Sequence, residues 1–224
     1  MERQLAIIKQ QELGLSIIQI IREEYEMILL NRLFDSPLGG RVVFRGGTAL
    51  RLAYNSPRFS DDLDLSKIQE ITQEEFQTWC EQTAKATPYI KLDEALQKYY
   101  TLYAMFKIKD LTLPATISIK IEISTRKEQW GKDKDYKLMR LRSEITPVTV
   151  LAQVASLERI EQEKRRINPP RVRDVFDLWF IGQVLKKDYS MDFSRFTAKE
   201  VKRDLHRQLA EGKRRMIEQW LPKE

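Results

Sequence analysis

One cysteine, Cys80, and one histidine, His206, are all that 224 residues offer to thiolate or imidazole chemistry. That scarcity excludes an intramolecular disulfide and a Cys/His zinc site, and it agrees with a reducing, cytoplasmic setting. Cys80 lies beside Trp79 in a helical-looking run, Glu74–Lys85, with no base near it in sequence, so a core thiol is expected there. His206 sits in a strongly charged helical stretch, a poor place for a catalytic base. Long apolar runs are missing too. No segment approaches the roughly 20 residues that span a bilayer, and the opening MERQLAIIKQQELG has no apolar stretch ending at a cleavage site, so neither a membrane nor a secretory signal is expected.

A hydrophobic share of 42% beside a charged share of 32% describes a soluble, charge-rich globular chain. Its length suits one sizeable domain or two small ones. The net charge of +6 is unevenly placed, because residues 153–224 hold 17 Lys and Arg against 12 Asp and Glu. One basic cluster gathers Lys164, Arg165, Arg166, Arg171 and Arg173; another runs through Lys199, Lys202, Arg203, Arg207 and Lys213–Arg215. Such a face can hold RNA by its phosphates, or it can be a solvated helix laced with i,i+4 pairs; both readings stand.

The densest signal is Phe44–Ser66, FRGGTALRLAYNSPRFSDDLDLS. A short apolar run, Val42–Phe44, enters a Gly46–Gly47–Thr48 turn, and a helix-like segment, Ala49–Tyr54, follows. A glycine turn at a helix start presents backbone N–H groups to a phosphate. After a polar link with Arg58 and Ser60 comes Asp62–Leu63–Asp64–Leu65. On a strand, Asp62 and Asp64 share one face while the leucines face the core. Adjacent carboxylates repel unless a cation sits between them, and Mg²⁺ takes one or two carboxylates together with waters and substrate phosphates. Phosphate cradle and metal carboxylates in one unit point to phosphoryl or nucleotidyl transfer.

These residues resemble the signature of the DNA-polymerase-β-like minimal nucleotidyltransferases. More narrowly they resemble the AbiEii/AbiGii toxin family, the toxin half of type IV toxin–antitoxin and abortive-infection systems, which typically reads GGTALxxxY and then R-[FY]-S-x-DLD-[FL]. Gly46, Gly47, Thr48, Ala49, Leu50, Tyr54, Arg58, Phe59, Ser60 and Asp62–Leu65 supply that pattern. Two later segments extend the resemblance. Thr116–Ser124, TISIKIEIS, alternates as a strand with Ile117, Ile119, Ile121 and Ile123 on one face. Glu122, on the other face with Lys120, fits the superfamily's third carboxylate. Pro169–Phe180, PPRVRDVFDLWF, is similar to the family's C-terminal R-D-x-[FY]-D-L motif, which implies a place near the active site for Asp174 and a structural place for Asp177; Arg173 either contacts a nucleotide phosphate or pairs with a neighbouring acid. In one respect the chain departs. Val154 stands where the family's preceding helix carries a nucleotide-contacting lysine, and Lys120 or Arg173 is left to supply that charge.

The resemblance implies Mg²⁺-dependent nucleotidyl transfer with Asp62, Asp64, Glu122 and Asp174 as catalytic carboxylates. The first three would hold two Mg²⁺ ions about 3.5–4 Å apart. A nucleoside triphosphate would lie with its phosphates over Gly46, Gly47 and Thr48, with Lys120 and Arg173 as further contacts, while Arg58 and Ser60 would steady either the triphosphate or the turn that aims the aspartates. It further implies an RNA acceptor, with a tRNA 3′ end as one candidate, and a cognate antitoxin protein. A catalytically degenerate RNA-binding module and a transferase acting on protein hydroxyls remain as alternatives.

The expected fold class is α+β, a mixed-sheet nucleotidyltransferase core over 1–146 followed by a C-terminal helical domain over 147–224, with the site in the cleft between them. Periodicity places a helix at Leu15–Phe34, a turn at Asp35–Gly40, a strand at Arg41–Phe44 and a helix at Glu74–Lys85. Tyr99–Lys109 and Thr116–Ser124 read as antiparallel strands around Asp110–Pro114. Helices are expected at about 149–163, 171–185 and 197–220.

Overall fold

Capping chemistry starts most of the helices. In the computed structural model, which describes residues 1–222, α1 (Arg3–Leu13) ends at Gly14 in the left-handed region. The long helix α2 (Ile17–Phe34) starts at Ser16, whose hydroxyl accepts from the Gln19 N–H while the Gln19 side chain accepts in return from the Ser16 N–H. Strand β1 (Val42–Arg45) runs straight into α3 (Gly46–Tyr54), and β2 (Asp62–Lys67) returns antiparallel beside β1. A second reciprocal cap, Thr72 with Glu75, opens α4 (Gln73–Ala86).

The remaining strands are β3 (Ile90–Lys98), β4 (Thr101–Ile108), β5 (Ile117–Ser124), β6 (Tyr136–Leu141) and β7 (Val150–Ala155). They form one mixed sheet in the order β3–β4–β5–β2–β1–β7–β6, with β2–β5 and β1–β7 parallel and the other pairs antiparallel. Leu63, Leu65, Ile119, Ile121 and Ile123 are buried on one face, in a core shared with α2 and α4. Alternation turns Asp62, Asp64 and Glu122 to the opposite face.

Beyond the sheet come α5 (Leu157–Arg165), α6 (Val172–Leu185), α7 (Ala198–His206) and the short α8 (Arg215–Glu218). Residues of α5 and α6 join Val43 and Leu50 in a small core on the carboxylate side of the sheet. Phe176, Phe193, Val201, Leu205 and Leu209 form a separate C-terminal core.

Two expectations need correction. The helix expected over 149–163 is a strand and then a helix. Val150, Ala152 and Val154 are buried in alternation while Leu151 is exposed, and Val154 lies opposite Phe44 in the parallel pairing with β1. The helix begins only after Ser156, whose hydroxyl accepts from the Arg159 N–H. The sheet therefore reaches past the expected division at 146/147, and the helical part starts at Leu157. The continuous helix expected over 197–220 is likewise interrupted, because Leu209 forms a β-bridge with Arg58 and the Gln208 carbonyl accepts from the Phe59 N–H.

Candidate active site

Register brings the motif residues together. In the parallel β2–β5 pair Asp62 stands opposite Lys120 and Asp64 opposite Glu122, while across the antiparallel β1–β2 pair Arg45 faces Asp64. The three carboxylates line one cleft of about 580 Å³, floored by the Gly46–Gly47 turn and walled by α5, the start of α6 and the segment after β5. That volume falls in the usual range for small-ligand sites.

Both glycines are dictated by what crowds them. Gly46 has φ +78°, and a Cβ there would lie 2.5 Å from Asp64 Oδ2. A Cβ on Gly47 would meet Arg58 Nη2 at 2.4 Å and Ser60 Oγ at 2.8 Å. The turn is thus pressed against the aspartate strand and its approach, and its backbone opens α3 at the cleft floor. Thr48 is buried, and its hydroxyl donates to the Asp62 carbonyl at 2.6 Å. Its side chain fixes the aspartate strand, and Thr48, unlike Gly46 and Gly47, does not line the cleft.

Electrostatics sets two of the acids apart. Burial pushes the Asp62 carboxyl up, Lys120 opposes the shift, and Asp64 and Asp61 add to it. Burial likewise raises Glu122, with Asp64 and Asp62 pushing in the same direction. Carboxylates that disfavour their own charge in this way are suited to a cation between them. Among the described residues no group of three or more acidic, His or Cys side chains is already gathered to hold a metal ion. An open site of two or three carboxylates fits Mg²⁺, which completes its shell with water and phosphate oxygens. Asp62, Asp64 and Glu122 are the residues that would hold it.

Other expected site residues take different places. Lys120 is 44% exposed, lies 3.7 Å from Asp62 Oδ1 and stands outside the cleft wall. Ser60 and Arg173 line the cleft. Arg58 also reaches it, yet its side chain is 1% exposed and mostly engaged. Its Nε and Nη2 donate to the two Asp177 oxygens at 2.7 and 2.8 Å, and Nη1 donates to the Phe59 carbonyl and Gln208 Oε1. Of five N–H groups one is left, on the side of Gly47. Arg58 therefore chiefly holds the turn in position.

Asp174 does not reach the cleft wall, contrary to the role expected of it. It is fully buried at the start of α6, accepting from Lys164 Nζ at 2.9 Å and from the Arg171 backbone N–H, Nε and Nη2. Burial alone would raise its pKa, but Arg171 and Lys164 outweigh it and hold the group down at about 2. A carboxylate so saturated has no lone pair free for a metal or a proton. Asp177, expected to be structural, pairs with Arg58 and with Lys164 Nζ at 2.7 Å.

The departure read at Val154 presumed a helix there, and the segment is a strand. Val154 is buried inside the sheet, where a lysine has no room. The helix that actually precedes α6 is α5, and it carries Lys164 on the cleft wall. Also outside the expected set are Arg45, Arg126 and Ile160, which line the same cleft. Arg45 is tied to Glu163 at 3.0 Å.

Comparison with known proteins bears on family and fold. Residues 28–220 match the model of the family described as nucleotidyl transferase AbiEii toxin, type IV toxin–antitoxin system. Among solved structures the chain is similar to JHP933 from Helicobacter pylori, with 22% identity, 84% of this chain and 73% of that one covered, and a TM-score of 0.57. It is also similar to MenT4, a nucleotidyltransferase toxin from Mycobacterium tuberculosis, with 20% identity, 91% and 68% covered, and a TM-score of 0.59. At these identities the likeness shows the fold. No curated protein matches the chain.

Proposed function

We propose that this chain, which belongs to the AbiEii family of nucleotidyl transferase toxins in type IV toxin–antitoxin systems, moves a nucleoside monophosphate from a nucleoside triphosphate onto a hydroxyl of an RNA acceptor. Pyrophosphate leaves as the new phosphodiester forms. The observation that carries the reading is the grouping of Asp62, Asp64 and Glu122 on one face of β2 and β5, directly against the Gly46–Gly47 turn.

Each residue has a defined part. The bare glycine backbone lets phosphates approach the start of α3, where free N–H groups point at an anion. Arg58, clamped by Asp177, and Thr48, bonded to the Asp62 carbonyl, keep the turn and the aspartate strand in one geometry. Positioning of this kind is where most of the catalysis of phosphoryl transfer resides.

An RNA acceptor is supported by the basic surface. Lys199, Lys202, Arg203 and Arg207 are exposed on and just after α7, and Arg207 Nη2 lies 3.4 Å from Asp61, the neighbour of Asp62. A tRNA 3′ end is an acceptor of suitable form, since it is single-stranded and ends in a hydroxyl. A triphosphate donor and an RNA acceptor place the work in the cytoplasm, with a cognate antitoxin as partner. No helix among the described residues is long and apolar enough to cross a membrane. The degenerate alternative rested on Val154 standing in a helix; Val154 lies in β7 instead, and the labelling test below decides between turnover and binding alone.

The test is incubation of the protein and its Asp62→Ala/Asp64→Ala variant with Mg²⁺, total RNA and each α-labelled nucleoside triphosphate. Label in an RNase-sensitive product with wild type alone is the expected outcome. RNase-resistant label would move the acceptor to protein, and equal labelling by the variant would sink the catalytic assignment.

A further inference from the structure

Sorting the cleft's charges by partner leaves a residue on each side. Arg45 is held by Glu163, Arg58 by Asp177, Lys164 by Asp174 and Asp177, and Arg171 by Asp174. Glu128, also on the wall, is taken by Arg159. What remains is segregated. On the sheet stand Asp64, Glu122 and Asp62, the last met only from outside the cleft by Lys120 at 3.7 Å; lining the same cleft stand Arg126, Arg166 and Arg173, whose side chains enter no ion pair among the described residues.

These three arginines come from different elements. Arg126 follows β5 by two residues, Arg166 caps the C-terminus of α5, and Arg173 is the second residue of α6. A solvated helix face would gather its charges on one helix, whereas these converge on a single concavity from three. A ligand complementary to both sides presents a divalent cation to the sheet and a chain of anionic oxygens to the guanidiniums. Planar guanidinium forks suit phosphate oxygens well.

We propose that Arg126, Arg166 and Arg173 form the polyphosphate subsite of the donor nucleotide, receiving the β- and γ-phosphates. This rests on the reading of the cleft as a nucleoside-triphosphate site. Lys164, Arg58 and Arg171 are neutralised by Asp174 and Asp177 and serve instead to shape the wall. Arg126 and Arg166 lie outside the motif residues, so the assignment is carried by the charge pairing alone.

The test is equilibrium binding without acceptor, by calorimetry, using Mg²⁺ with inorganic tripolyphosphate and with α,β-methylene analogues of the four nucleoside triphosphates. Wild type is expected to bind tripolyphosphate and at least one analogue. Arg126→Ala and Arg166→Ala should each weaken both ligands about 10- to 100-fold, the usual worth of a charge-assisted hydrogen bond. Arg126→Lys and Arg166→Lys should recover part of the loss, with melting temperatures unchanged because both side chains are exposed. RNA binding by the same variants should stay within about twofold of wild type. Unchanged tripolyphosphate binding in the alanine variants, with weakened RNA binding, would overturn the inference in favour of an acceptor-backbone contact and leave the transferase reading intact. Failure of wild type to bind any analogue would overturn both.

Discussion

Backbone without a side chain is what Gly46 and Gly47 contribute, and the space beside them is already filled. Gly46→Ala would place a methyl group against the Asp64 carboxylate in a left-handed backbone conformation, and Gly47→Ala would press on Arg58 and Ser60. Displacing a reacting group by about 1 Å can cost about 100-fold in rate, so either variant should lose transferase activity by about that factor while remaining folded, as read by labelling and by far-UV circular dichroism. The buried Arg58–Asp177 pair has the opposite profile. Asp177→Ala leaves a guanidinium buried without its anion and should lower stability in urea unfolding by about 3–5 kcal/mol. Arg58→Met combined with Asp177→Leu should recover much of that loss, because an apolar pair leaves no unmatched charge; a double variant as unstable as the single one would refute this account. At this scale the sequence identified the residue types well and their orientations poorly. Asp62, Asp64 and Glu122 could be read because strand alternation fixes where they point. Thr48, Arg58 and Asp174 could not, since each bonds to a group distant in sequence or hidden by its own helix start.

Strand against helix was decided at 150–155 by neighbours. Val150–Ala155 is apolar enough for either state, and its place beside β1 selected the strand. The alternating β4 and β5 and the capped α4 were legible because their patterns are local; β3, β6 and β7 were not, and neither was α1. Val154→Lys tests the correction directly. If the missing lysine belonged there, the variant would fold and retain activity. Buried as Val154 is, an ammonium group costs several kcal/mol, so the variant should be recovered unfolded or strongly destabilised. The start of α6 carries a pH signature as well. Asp174 has its pKa depressed to about 2 by Arg171 and Lys164, against about 3.9 in an unfolded chain. A depressed carboxylate contributes stability that is fully present above pH 4 and lost as pH falls through 2. Melting temperature measured between pH 5 and pH 2 should therefore fall more steeply for wild type than for Asp174→Asn, which should be the less stable protein at pH 7.

The C-terminal core built from Phe176, Phe193, Val201, Leu205 and Leu209 is separate from the core under the sheet, yet it is pinned by polar links to the segment that leads into β2 and to α2. The Gln208 carbonyl accepts from the Phe59 N–H, Gln208 Oε1 accepts from Arg58, and Gln19 Nε2 donates to the Arg207 carbonyl. Because of these links the basic surface of α7 ends beside Asp61, one residue from the carboxylates, so an RNA held along α7 by its phosphates has its end near the cleft. Lys199 and Lys202 lie on that surface, three apart on the helix, exposed and in no ion pair among the described residues. Phosphate contacts release counterions, so each one lost lowers the slope of log K against log salt by about 1. Lys199→Ala/Lys202→Ala should weaken RNA binding at every salt concentration and flatten that slope by about 1–2, while Mg²⁺–tripolyphosphate binding stays at the wild-type value because the cleft is untouched. If the double variant keeps both the affinity and the slope of wild type, α7 is a solvated face, and the acceptor must reach Asp62, Asp64 and Glu122 from another side of the sheet.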